Sequence, residues 1–343
     1  MKGSPYGIHR VLEPAGTLPQ AAWKISNDME ICDNEILIDV DILNIDAASF
    51  TQIKKAAAMD VEKIKQTMLD IVAKRGKHHN PVTGSGGMLV GRVSSIGAAL
   101  QDRDLKVGDR IATLVSLSLT PLVIDKIKAV HIERDQVEIE GRAVLFESGI
   151  YAKLPADMPD ALALAVLDVA GAPAQTARLV KPGDTVLIIG GGGKSGTLCM
   201  YEARKRAGVT GTIIGIGSSA KSCQRIRALG WADHVLEVDA TNAVAVMEAV
   251  AAVTGGKLAD VTINCVNIPG TEMASVLATR DYGTVYFFSM ATSFTAAALG
   301  AEGVGKDVNM IIGNGYTHRH AEISLHLLRE SPQLRQLFET IYA

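Results

Sequence analysis

The stretch Thr185–Gly196, TVLIIGGGGKSG, holds the residue types that grip a phosphate. An apolar, β-branched run stops abruptly at glycines, and a helix-capable segment, Thr197–Ala207, follows. Gly191, Gly193 and Gly196 fit G-x-G-x-x-G. Glycine accepts the positive φ of a tight turn, and without a side chain it lets a pyrophosphate reach the backbone. The N–H groups and dipole of the helix start, where Lys194 and Ser195 stand, then face the charge. Gly193-Lys194-Ser195 also spells the end of an NTPase phosphate loop. That motif needs a glycine five positions before Gly193, and Ile188 stands there inside the strand. A second strand-like run, Thr212–Ile216, arrives after a helical segment of βαβ length. The reading is a dinucleotide cradle.

Three other sets of residues carry chemistry. Asp168 stands alone in an apolar helical run, where an uncompensated charge is expensive. The cysteines are Cys32, Cys199, Cys223 and Cys265, and no two are closer than 24 residues. Neither a CxxC redox pair nor a zinc knuckle is available. Cys199 and Cys265 read as small buried hydrophobes. His78-His79 resembles a metal site only superficially, because neighbours on a strand face opposite ways and such a pair in a loop is usually solvated.

The bulk composition narrows the classes. The chain has 343 residues, enough for two domains, with 48% hydrophobic and 21% charged residues. Its net charge is −3, and the basic residues do not cluster, so neither a nucleic acid nor another polyanion is an expected partner. The longest apolar stretch, Ala161–Ala174, is too short for a bilayer span and contains Asp168. MKGSPYGIHR lacks the apolar core of a signal peptide, and a soluble cytoplasmic protein is expected.

The elements that must position these groups change character along the chain. Glu35–Asn44, Met88–Ile96 and Arg110–Val115 alternate as half-buried strands do, with Leu105–Ile111 turning into the last of them. Gln52–Lys74 has the apolar spacing of one or two helices. Helix and strand alternate from about Pro155. Asp160–Leu179 reads as a long helix breaking near Gly171-Ala172-Pro173. Further strands are expected at His234–Leu236, Val261–Asn264 and Gly283–Phe288, with Val308–Ile312 at an edge. Helices are expected at Ala220–Leu229, Thr241–Val253, Thr271–Leu277 and Ala321–Phe338. Such alternation makes an α/β fold with a doubly wound parallel sheet. The expected domains are 1–155, β-rich with a helical insert near 52–74; 156–320, binding the dinucleotide; and 321–343, a C-terminal helix.

The order of these parts is similar to that of the medium-chain dehydrogenase/reductase superfamily. GSGGMLVGRVSSIG (Gly84–Gly97), LKVGDRI and VKPGDTVLIIG carry the likeness, which covers nearly the whole chain. It implies a GroES-like catalytic domain, a Rossmann domain and hydride transfer with NAD or NADP. NCVNIPGTEMASVL (Asn264–Leu277), FFSMATSFTAAALGAEGVGKDVNM (Phe287–Met310) and IIGNGYTHRHAE (Ile311–Glu322) resemble more closely the branch that acts on 3,5-diaminohexanoate in anaerobic lysine fermentation. That likeness implies oxidative deamination at C3, giving 5-amino-3-oxohexanoate, ammonia and reduced cofactor.

Departures from the wider pattern are informative. Zinc-dependent members carry a Cys where this chain has Asp46, a Gly-His-Glu where it has Gly84-Ser85-Gly86, and a third ligand at the position of Asp168. This set lacks the Cys and His that hold zinc well, and the four-cysteine structural lobe is missing, so no metal is expected. Gln52–Lys74 is longer than its counterpart in many members, and the chain stops soon after its last helix.

For a diamino acid substrate, Asp168 and Asp46 are the expected catalytic pair, one holding an ammonium and one acting as base. Asp46 is equally a helix N-cap before Ala47–Phe50. Glu147, Arg92, Arg319, His318 and His320 are weaker substrate-binding candidates, the cations for the substrate carboxylate. Asn267, Ser289 and Met290 follow Rossmann strands at the ends where ligands bind. Gly217 holds the place where NAD-specific domains put an acid, while Ser218, Ser219, Lys221 and Arg225 suit a 2′-phosphate; the resembled enzymes commonly use NAD, and the choice stays open. A homodimer joined at the edge strand is expected by analogy. Two other readings remain: a zinc-free NADPH-dependent quinone or enoyl reductase, and a dinucleotide-binding protein without catalysis.

Overall fold

Period-two patterning dominates the first of two units, Met1–Ala156, and strand–helix alternation the second, Asp157–Ala343. The computed structural model describes residues 1–313 and 315–342.

The strands of the first unit are β1 (Val11–Glu13), β2 (Lys24–Ile25), β3 (Glu35–Ile45), β4 (Gly87–Ile96), β5 (Arg110–Thr113), β6 (Leu122–His131), β7 (Gln136–Phe146) and β8 (Tyr151–Lys153). β1 pairs with β2, and the others form one antiparallel sheet in the order β6-β7-β3-β4-β5-β8. In β3 the side chains of Ile36, Ile38 and Val40 are buried, then those of Leu43 and Ile45. The parity changes because the ladders to β4 and β7 both shift register between Val40 and Ile42. A one-residue slip turns the following side chains to the other face. The slip leaves Ile45 inward and Asp46 at the strand exit.

Two helices follow Asp46, α1 (Ala47–Ala56) and α2 (Val61–Arg75), and they bury Phe50, Ile53, Ile64 and Met68 in the core of the sheet. Ala58 and Met59, at positive φ, separate them, and the Asp60 carboxylate caps α2 by accepting from the N–H groups of Glu62 and Lys63. The sequence reading missed the β6–β7 hairpin. Its alternation was present in VEIEGRAV, and Asp135, at φ 53°, closes its turn.

Beyond α2 the chain buries a cation. Lys77 is fully enclosed, and its ammonium donates to the carbonyls of Pro19 (2.5 Å) and Gln20 (3.2 Å). Burial, with the Arg75 charge second, pushes its pKa down to about 7. The unfolded chain keeps this proton to about pH 10. Stability therefore rises with pH between about 7 and 10, because the unfolded state there binds the extra proton. Urea unfolding at pH 7 and 9.5 should show a gain of about 3 kcal/mol that Lys77→Met abolishes. Equal pH dependence in the two proteins would contradict this.

The second unit carries β9 (Thr185–Ile189), β10 (Thr212–Gly217), β11 (His234–Glu237), β12 (Ala259–Asn264), β13 (Thr279–Phe287) and β14 (Asn309–Ile312). All pair in parallel in the order β11-β10-β9-β12-β13-β14. Its helices are α3 (Asp160–Leu167), α4 (Gly171–Leu179), α5 (Lys194–Ala207), α6 (Ala220–Leu229), α7 (Ala243–Thr254), α8 (Glu272–Leu277), α9 (Phe294–Gly303), α10 (His320–Glu330) and α11 (Pro332–Ile341). β9 is apolar on both faces because both are covered. Val186 and Ile188 pack against α5 through Cys199, Met200 and Ala203. Leu187 and Ile189 pack with Val246 and Val250 of α7 and Ala274 of α8. This is the α/β doubly wound sheet the sequence predicts, with β14 at the edge where Val308–Ile312 was expected.

Two expected helices are each divided. The break in 160–179 lies at residues 168–170, just before the expected Gly171–Pro173. Pro173 instead sits in the first turn of α4, where its missing N–H costs no bond. The expected single helix Ala321–Phe338 is α10 and α11. Pro332 starts α11, and the Ser331 hydroxyl caps it by accepting from Leu334 N–H. Among the described residues no helix is long and apolar enough to cross a membrane.

Candidate active site

The glycine loop is built where β9 ends. Gly190 turns the chain at φ 83°, and the N–H groups of Gly190 and Gly191 both donate to Ile216 O of β10, at 3.0 and 2.9 Å. Gly193 precedes α5 and offers it no side-chain cap, the arrangement by which a helix start can receive an anion. A Cβ on Gly196 would lie 2.1 Å from Gly190 O, and one on Gly192 would lie 2.3 Å from Ser222 Oγ. At Gly193 the nearest atom would be 3.4 Å away. The steric demand for glycine thus falls on Gly190, Gly192 and Gly196. The motif's Gly193 is the least constrained of the run, and Gly192, which no motif position singles out, is among the most constrained.

The structure places the other expected cofactor residues of this unit at the carboxyl ends of neighbouring strands. Ser218 and Ser219 follow β10; Ser219 Oγ caps α6 by accepting from Ser222 N–H, and Lys221 is exposed. Asn267 and Ser289, beyond β12 and β13, are joined by a 3.2 Å bond from Ser289 Oγ to Asn267 Oδ1, and Met290 beside them is exposed. The turn that presents Asn267 hangs on a residue the sequence reading passed over. Asn264 is buried, donates its amide to Thr271 Oγ1 and Ser275 Oγ at 2.9 Å each, and accepts from Val266 N–H. Its polar atoms are all satisfied inside the turn.

Two expectations about charge need correction. Asp168 is not an uncompensated charge in an apolar interior. It ends α3, its side chain is 44% exposed, and its Oδ2 accepts from Lys194 Nζ at 2.8 Å. The helix is apolar only up to Leu167. Lys194 therefore links the loop to the acid, and its ammonium lies 5.7 Å from the Tyr342 ring centroid. Arg225 is likewise engaged. It donates to Gly192 O at 2.6 Å and to the Tyr342 hydroxyl at 3.4 Å, bracing the loop from behind. Glu237 was also missed. Parallel register places it beside Gly217, so a carboxylate stands next to the position the sequence left without one. Only register reveals that neighbour.

In the first unit, the positions aligned with a metal site do meet. Asp46 Oδ1 accepts from the N–H groups of Ala48 (3.0 Å) and Ser49 (3.3 Å) and from Ser85 Oγ (3.2 Å). Ser85 Oγ is 3.1 Å from Thr83 Oγ1, which donates to Ser49 Oγ. Asn80 donates to Gln52 and to Ser49 O, closing the loop onto α1. Asp46 is thus the helix cap the sequence allowed. One capping carboxylate and one serine are a poor donor set for zinc. Among the described residues one cluster of three ligating types occurs, His9, Cys32 and Glu35. Both Glu35 oxygens already accept from Arg10, at 2.7 and 2.6 Å.

Asp46→Ala should cost about 1 kcal/mol of stability, whereas Asp46→Asn, an equally good cap, should stay within about 0.5 kcal/mol of the parent in urea unfolding. A full loss in the asparagine variant would contradict the capping geometry.

The weaker candidates are dispersed. Glu147 accepts from Asn34 Nδ2 at 2.8 Å and lies 4.0 Å from Lys2, in contacts to the N-terminal segment. Arg92 is exposed on β4 and reaches Gly108 O at 3.5 Å. Arg319 is exposed, at φ 61°, with Glu322 3.9 Å away. His318 is exposed; His320 is buried edge-on to Tyr316, and burial lowers its pKa. The adjacent His78 and His79 are not solvated as expected. His78 is fully buried with neither ring nitrogen partnered among the described residues, and burial pushes it down to about 4. His79 Nδ1 lies 3.0 Å from Arg75 Nη2.

The sequence profile of the L-erythro-3,5-diaminohexanoate dehydrogenase N-terminal domain matches residues 9–155. The chain is 61% identical over 343 residues to the L-erythro-3,5-diaminohexanoate dehydrogenase of Acetoanaerobium sticklandii, covering 100% of both chains. It is 60% identical over 342 residues to that of Fusobacterium nucleatum subsp. nucleatum, covering 99% of each. A solved structure of similar fold is the Escherichia coli quinone oxidoreductase complexed with NADPH, with TM-score 0.54 and 18% identity over 88% of this chain and 80% of that one. That likeness concerns the fold alone; full-length identity is what assigns the family. The chain belongs to the L-erythro-3,5-diaminohexanoate dehydrogenase family.

Proposed function

We propose that this chain oxidatively deaminates L-erythro-3,5-diaminohexanoate at C3, using NAD or NADP, to 5-amino-3-oxohexanoate and ammonia in lysine breakdown. Full-length identity to two dehydrogenases named for that substrate carries the reading. The glycine loop fits the cofactor. A backbone packed this closely at Gly192 and Gly196 leaves room for a pyrophosphate over an uncapped helix start. When bound, the nicotinamide supplies the acceptor for the hydride on C3.

The chain's own residues do the rest. The reaction consumes the substrate ammonium, oxidised cofactor and water, and yields ketone, ammonium, reduced cofactor and one proton. Asp168 holds the reacting ammonium, takes its proton before hydride leaves and passes it to solvent, so that a charged carboxylate again faces the iminium that follows. In the free chain Lys194 holds Asp168. Lys194 would hold the cofactor diphosphate at the helix start, and the Asp168 carboxylate would then be free for the substrate. Asp46 is the second proposed acid, its carboxylate presented at the strand exit by its cap geometry. Neither acid needs a metal. Pairing of β14 across an edge would make a homodimer, and measured mass in solution tests that.

The quinone or enoyl reductase reading draws on a fold shared at 18% identity and lacks a use for the two acids. Absorbance of reduced nicotinamide should grow when protein, 3,5-diaminohexanoate and either cofactor are mixed. Silence with both cofactors, together with NADPH-dependent turnover of a quinone, would replace this reading with the reductase.

A further inference from the structure

Cys199 and Cys265 are far apart in sequence and adjacent in space. Cys265 Sγ points at Cys199 Sγ across 3.9 Å. Cys199 lies in α5, the helix that begins at the glycine loop, and is fully buried. Cys265 follows β12 directly and is partly exposed. Its N–H donates to Ile189 O at 2.9 Å, the last residue before the loop. The two thiols therefore flank both roots of the dinucleotide cradle. The other two are placed differently: Cys223 is buried with its thiol facing Gly217 O and Leu236 O at 3.6 Å each, and Cys32 belongs to the first unit.

We propose that Cys199 and Cys265 are a dithiol–disulfide modification site, closed by small-molecule disulfides, that sets the affinity of the cradle for its cofactor. The second clause rests on the dinucleotide reading of the loop; the first does not. The partly exposed Cys265 thiolate attacks one sulfur of the small disulfide. That S–S bond breaks, and one small thiol leaves. Cys199 then loses its proton and attacks the Cys265 sulfur of the mixed disulfide, expelling the second small thiol. Two protein thiols are oxidised to one disulfide, and one small disulfide is reduced to two thiols. The division of roles follows burial, since burial pushes the Cys199 thiol well up and keeps it protonated until its partner is activated.

Closure has a structural consequence. A disulfide needs sulfurs about 2 Å apart. The remaining distance is taken up by rotation of the two side chains together with any shift of α5 or of the strand exit at Cys265. Neither moves freely, because Gly196 is wedged on Gly190 O and Cys265 holds Ile189 O. The link would therefore fix α5 to the strand exit beside the loop that both anchor.

The experiment treats the full chain with glutathione disulfide, without substrate, and maps its peptides by mass before and after dithiothreitol. A Cys199–Cys265 peptide is expected, with at least about tenfold weaker NAD or NADP binding by titration, both reversed by the reductant. Cys265→Ser should keep its cofactor affinity under the same treatment, and Cys199→Ala should stop at the mixed disulfide. Full alkylation of both cysteines after treatment, a stable glutathione adduct on Cys265 of the parent, or a closed disulfide with unchanged cofactor affinity would each overturn the proposal. Thiols are counted on the protein alone, so this failure is distinct from failure of the proposed reaction.

Discussion

Asp168→Asn should lower kcat for deamination by about a thousandfold while cofactor Kd stays within about threefold. The substitution keeps shape and removes only the charge. Its cost in stability is small, because the Asp168–Lys194 pair is 44% and 30% exposed, and such pairs contribute about 1 kcal/mol or less. A large kinetic loss in a stable protein with intact cofactor binding separates a reacting carboxylate from a surface ion pair. Lys194→Met should have the opposite signature, weakening the cofactor more than the chemical step. Turnover near the parent rate in the Asp168 variant would remove that residue from the mechanism.

Gly196→Ala should weaken cofactor binding about a hundredfold, equivalent to about 2.7 kcal/mol. Its methyl would lie 2.1 Å from Gly190 O and 2.9 Å from Gly191 Cα. Both are backbone atoms of the cradle, so no rotamer relieves the contact; the loop itself must shift. Gly193→Ala is the control within the same motif. That residue has φ −85° and no atom nearer than 3.4 Å, so the variant should bind within about threefold of the parent. Titration calorimetry with NAD and NADP reads both. Equal losses at the two positions would mean that glycine is needed here for flexibility and not for close packing.

The parts legible in the sequence are those encoded by near neighbours. β9, its glycines and α5 form one contiguous signal of strand, turn and helix. The edge strand and the Asp46 cap were likewise local. The missing parts depend on partners distant in the chain. Lys194 and Asp168 are 26 residues apart, and nothing in either stretch says that one neutralises the other. Glu237 reaches the side of Gly217 only through parallel register. Cys199 and Cys265, 66 residues apart, look like unrelated small apolar residues until α5 packs beside β12. Other misses were legible and passed over. Ser331-Pro332 is a cap followed by a residue that starts helices and cannot continue them, and it divides the terminal helix. The His78-His79 pair was misjudged for another reason. A pair in a loop is usually solvated, yet all or most of each side chain is enclosed by the first unit.

The central claim is that acids on this chain, and no bound metal, carry out the amine chemistry beside a backbone-held dinucleotide. The most direct measurement is the initial rate of 3,5-diaminohexanoate-dependent cofactor reduction after exhaustive chelation, with metal content determined on the same sample. The account predicts an unchanged rate in protein with far less than one metal ion per chain. A rate that falls to background on chelation and returns when zinc is restored would contradict it.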